Sequence, residues 1–140
     1  MIQGSAAVTC VALGTMIGVL VGLGGFVLVP VLVETPDPWL RWGILFWYPT
    51  MGAAIGALVR SEAPARVPRW ATGALVGAWA NFVLTFFAHG QMQRFLVAVL
   101  GADSAFTSPF WFVLEGFVVG ALIGLAVDRF GAEGEPIEPD

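Results

Sequence analysis

The chain has 140 residues, 58% hydrophobic and only 11% charged, with a mean hydropathy of +0.85. Six arginines, no lysine and ten acids leave a net charge of −4, and Glu133, Glu135, Glu138 and Asp140 carry four of those acids, so the body is neutral. Such sparse charge cannot coat a water-facing surface, which excludes ordinary soluble enzymes, disordered tails and coiled coils, and a neutral body offers nucleic acid no footprint. A single Cys10 excludes an internal disulfide and any multi-cysteine metal site.

About 20 apolar residues cross the hydrocarbon core as a helix, and the sequence predicts four such spans. The first covers residues 6–29, reaching Val33 at most, and Pro30, Pro36 and Pro38 close it. It is too long for a signal peptide and follows a Met1–Ser5 segment without a basic residue, so it reads as a retained span. The second span covers 39–59 and the third 70–88, separated by the arginine- and proline-bearing stretch 60–69. Residues 95–100 are apolar but too few to cross, and read as an interfacial segment. The fourth span covers 109–127. One membrane domain, 1–130, and an acidic tail, 131–140, result. Arg60, Arg66, Arg69 and Arg129 fall on the side of the termini, against Arg41 and Arg94 opposite. The positive-inside rule then puts both termini in the cytoplasm. Small size and this bias favour a bacterial inner membrane.

Glycine recurs at four-residue spacing in every span: Gly14, Gly18 and Gly22; Gly52 and Gly56; Gly73 and Gly77; Gly116, Gly120 and Gly124. Lipid offers no hydrophobic drive for helices to associate, so close backbone packing along such stripes has to supply it. The expected fold is an all-α integral membrane protein, a four-transmembrane-helix bundle packed through GxxxG stripes.

Aromatic residues gather in the outer half. Trp39, Trp42 and Trp47 on span two, with Phe110, Trp111 and Phe112 on span four, form a candidate partner surface. Polar groups at membrane depth are the default functional suspects. Glu115 is the seventh residue of span four, about 9 Å below its outer end. It lies about 100°, 140° and 180° from Gly116, Gly120 and Gly124 around the helix, hence off the glycine stripe. It therefore faces lipid, a neighbouring subunit or a cavity. Asn81 continues the Gly73, Gly77 series toward the bundle interior, Tyr48 lies somewhat deeper on span two, and Arg41 is long enough to snorkel toward Glu115. These four are the candidate intramembrane polar site. Pro49 frees the carbonyl of Leu45 within span two.

His89 reads as an interfacial residue at the end of span three. No nucleophile–base pair, phosphate loop or metal-ligand spacing occurs, so no catalytic or metal residue is expected and no cofactor is required. Met51-Gly-Ala-Ala-Ile-Gly-Ala-Leu-Val-Arg60 looks a little like the Gly-Gly-x-x-Gly-Ala-x-x-Arg stretch of the small dimeric fluoride channels. That stretch belongs to the first span there and the second here, and Phe82, Thr85 and Phe86 are a poor substitute for their phenylalanine and threonine track. The small four-span subunits of tripartite carboxylate transporters are similar in size alone. No residue role is carried over from either. The expected function is that of a non-enzymatic accessory or structural subunit, partnered by membrane lipids and by other membrane subunits or a second copy of itself. The alternative is a small homodimeric channel or transporter working near Glu115, Asn81 and Tyr48. A third reading is a binder of a hydrophobic cofactor such as a quinone, haem or pigment.

Overall fold

The computed structural model describes residues 2–61 and 67–131. Over these residues the chain is all-helical, in the order α1 (Ile2–Leu32), α2 (Pro38–Ser61), α3 (Arg69–Phe87), α4 (His89–Leu100) and α5 (Trp111–Gly131). All but α4 are long and apolar enough to cross a membrane. Arg66 and the acidic tail beyond Gly131 lie outside the described residues.

Local chemistry sets the helix ends. Asp37 Oδ1 accepts the N–H of Trp39 at 2.9 Å, and Pro38 fills the first helical position, where its missing N–H costs nothing. Gly101 ends α4 with φ of 88°, a left-handed backbone that glycine adopts without a steric penalty. α4 starts at His89, well before the apolar stretch 95–100 that hydropathy selects. Its first half mixes Gln91, Gln93 and Arg94 with Met92, so the helix is amphipathic and its polar face hides it from an apolar-run criterion. α5 begins at Trp111, and Pro109 belongs to the preceding turn, where its carbonyl accepts the N–H of Phe112 at 3.0 Å. α1 continues through Pro30 to Leu32.

Two antiparallel helix pairs make up the long-helix framework. α1 lies along α2, and α3 along α5, while the pairs touch one another far less. A β-carbon placed on Gly14 would overlap the carbonyl oxygen of Gly52; on Gly18 it would overlap that of Tyr48, and on Gly56 that of Cys10. In the second pair a β-carbon on Gly73 would overlap the Gly120 carbonyl oxygen, and one on Gly77 that of Gly116. Each step of four along one helix is answered by a step of four back along its partner. Between the pairs runs a small core that includes Cys10, Met51, Ile55, Val59, Ile123 and Val127.

Candidate functional site

The α3–α5 register carries polar groups to one point. Beyond Gly77 the next residue on the same face is Asn81, fully buried, and the facing carbonyl is that of Phe112. Asn81 Nδ2 donates to this carbonyl at 2.8 Å and to Glu115 Oε2 at 2.7 Å. One turn further, Thr85 Oγ1 reaches the Pro109 carbonyl at 3.5 Å. Four residues beyond Gly77, the Asn81 amide meets the facing carbonyl and bonds it.

From the other pair, Tyr48 on α2 donates its hydroxyl proton to the same Glu115 Oε2 at 2.5 Å. Tyr48, Asn81 and Glu115 thus join three helices at one carboxylate oxygen. Asn81 Oδ1 is buried and has no hydrogen-bond partner among the described residues.

Arg41 is not part of this cluster. Pro30 has no N–H to give the carbonyl of Phe26, four residues earlier, and Arg41 Nε donates to that carbonyl at 3.2 Å. The guanidinium also lies over the Phe26 ring, 4.2 Å from its centroid. Arg41 therefore mends a proline-broken helix end instead of neutralising Glu115. Among the described residues no basic side chain forms an ion pair with Glu115; Arg69 pairs with Asp128 at 3.0 Å.

Beside the cluster lies a cavity of about 300 Å³ between the helix pairs. Its wall is mostly apolar, with Val21 and Ile44 from the first pair and Leu84, Phe95 and Phe112 from α3, α4 and α5. Tyr48 and Glu115 supply polar groups to it, so Glu115 faces a cavity. A second, more polar pocket of about 440 Å³ adjoins it, sharing Leu40 and Phe95, and is lined by Asp37, Gln91 and Arg94. Sequence reasoning missed this wall because its apolar residues come from five helices and none is unusual in a membrane chain.

The aromatic residues divide. Trp39, Trp42, Phe110 and Trp111 are exposed, whereas Phe112 is turned to the cavity and Trp47 is half-buried with its indole N–H unbonded. Trp79, which no sequence pattern singles out, stacks on Phe82 at 5.8 Å, and Phe82 meets Phe110 at 6.0 Å. His89 completes this row against Phe110, also at 6.0 Å.

Fold and site together define an all-helical protein with four helices of membrane-crossing length and a carboxylate-bearing cavity between two helix pairs. Compared with known protein families, with characterised proteins and with solved structures, the chain matches none of them.

Proposed function

We propose that the chain is a non-enzymatic integral membrane protein that holds a small, largely apolar ligand between its two helix pairs. The observation that carries this reading is the cavity itself. Small-molecule sites are concave, about 300–1,000 Å³ in volume, mostly apolar, provided with a few placed polar groups and found where structural units meet. The cavity beside Tyr48 and Glu115 has each of these properties. The reading includes a four-span bundle packed through its glycines, and the arginine bias supports a bacterial inner membrane with both termini cytoplasmic.

Protein purified in mild detergent and extracted into organic solvent is expected to yield a stoichiometric apolar molecule by mass spectrometry. Leu84→Trp, which fills the cavity, is expected to lose most of it. No extracted molecule, together with no uptake of a neutral aromatic probe such as neopentylbenzene, sinks the reading.

A second reading, the accessory subunit, is favoured by the exposed row Trp79, Phe82 and Phe110 and by Trp39, which is 83% exposed. Rigid aromatic side chains offer a neighbouring helix large contact area at low entropic cost. Stoichiometric co-purification of another membrane chain supports it, and a lone monodisperse monomer counts against it.

A further inference from the structure

We infer that the ligand of the cavity is a monovalent organic cation with an apolar body, and that Glu115 is its counter-charge. This rests on the ligand-binding reading above and names the class of molecule.

The argument starts from an acid without a protein cation. An ionisable side chain at membrane depth is costly and normally pairs with another group. Every described arginine has another position. Arg41 serves the Phe26 carbonyl, Arg94 lines the outer pocket, and Arg60, Arg69 and Arg129 belong to the opposite helix ends. What Glu115 has instead is two neutral donors, the Tyr48 hydroxyl and the Asn81 amide, both on Oε2. Two donors on one oxygen orient the carboxyl group and favour its ionised form, but they bring no positive charge to it. The carboxylate also borders the cavity, so a ligand there sits within reach of it.

The cavity then selects among cations. Small hard ions demand several oxygen ligands, and among the described residues no group of three His, Cys, Asp or Glu side chains can hold a metal. An apolar wall that includes Phe95 and Phe112 suits a large, weakly hydrated cation, whose desolvation costs little and which aromatic faces attract. An anion would be repelled by an ionised Glu115, and a neutral ligand would bring it no counter-charge. One carboxylate fixes the ligand's charge at one. The outer pocket, with Asp37 and Gln91 on its wall and Leu40 and Phe95 shared with the inner cavity, gives such a molecule a polar approach.

Proton and cation then compete for Glu115. The groups touching it are Tyr48 from α2 and Asn81, which does not titrate, from α3; α1 and α4 give the cavity apolar side chains, and Arg94 of α4 lines the outer pocket. Protonation of Glu115 removes the counter-charge, so cation affinity falls as the solution is acidified, and affinity for a neutral ligand of the same shape does not.

Three probes of one shape separate the possibilities: benzyltrimethylammonium, its neutral carbon isostere neopentylbenzene, and the anion benzylsulfonate. Each is titrated calorimetrically into the protein in nanodiscs, with protein-free nanodiscs subtracted. The cation is expected to bind at least about tenfold more tightly than the neutral isostere, and the anion not measurably. Glu115→Gln keeps a hydrogen-bond acceptor for Tyr48 and Asn81. It is expected to weaken the cation at least about tenfold while leaving neopentylbenzene unchanged, which also shows that the variant folds. Equal binding of cation and neutral isostere, preference for the anion, or a cation affinity untouched by Glu115→Gln overturns the inference and leaves the ligand-binding reading standing. No binding by any of the three overturns both.

Discussion

The two helix pairs are built on the same spacing of glycine yet end differently. In α3–α5 the close approach persists from the Arg69 and Gly124 end through Gly77 and Gly116, and Asn81 then bonds the next carbonyl. In α1–α2 the approach loosens toward the 33–37 connection. A β-carbon would overlap backbone at Gly14 and Gly18, would sit 3.2 Å from the Ile44 carbonyl oxygen at Gly22, and would meet nothing within 4 Å at Gly24. Past Gly22 α1 and α2 therefore meet through side chains, Ile44 against Gly25 and Trp42 against Phe26, while Gly24 faces the cavity. The cavity opens on that side, with Val21, Gly24 and Gly25 on its wall, and the polar cluster sits where the closed pair faces it. One pair holds the carboxylate in place, and the other leaves room beside it.

The largest expected effect comes from forcing the closed pair apart. Gly77→Leu drives a branched side chain into the Gly116 backbone, a clash no rotamer relieves, and should cost more than about 3 kcal/mol or abolish folding. Unfolding in mixed detergent micelles measures it; a variant as stable as the parent would show that the pair is not held by this contact. Asn81→Leu comes next. It removes the donor for both the Phe112 carbonyl and Glu115 in a buried place, and each buried group left unpaired costs about 1–3 kcal/mol. A loss below about 1 kcal/mol in the same assay would mean that the α3–α5 contact does not need the amide. Tyr48→Phe is milder. The hydroxyl is the cluster's one bond to the open pair, but Asn81 still serves the same oxygen, so about 1 kcal/mol is expected. A Tyr48→Phe loss larger than that of Asn81→Leu would reverse the ranking of the two pairs.

The four long helices are legible because apolar runs of that length have one cheap conformation in lipid. The cluster is legible only as parts. Glu115, Asn81 and Tyr48 stand out by residue type and depth, but Tyr48 and Glu115 are 67 positions apart and only the packing register brings them together. Arg41 misleads, because charge suggests a carboxylate partner while its actual acceptor is a backbone carbonyl. The rule that proline frees the carbonyl four residues back points to Phe26 as soon as Pro30 is read as helical. α4 escapes an apolar-run search since His89, Gln91, Gln93 and Arg94 interrupt its first half, yet Met92 and Phe95 line the cavity from it.

The smallest effect is the most discriminating, because it is expected to change sign along one helix. Gly18→Ala places a methyl group against the Tyr48 carbonyl and should destabilise by about 1–3 kcal/mol, the usual cost of overpacking. Gly24→Ala on the same helix meets nothing within 4 Å, so only backbone terms remain. Alanine is the better helix former by up to about 1 kcal/mol, partly through the freedom glycine loses on folding. Gly24→Ala should therefore be neutral or slightly stabilising in the same micelle assay. Gly25→Ala falls between, since its methyl group would press at 2.6 Å on Cγ2 of Ile44, the end of a side chain that can turn aside. A destabilisation by Gly24→Ala matching that of Gly18→Ala would mean that Gly24 packs against backbone and does not face the cavity. The space that makes the first pair differ from the second would then be lost.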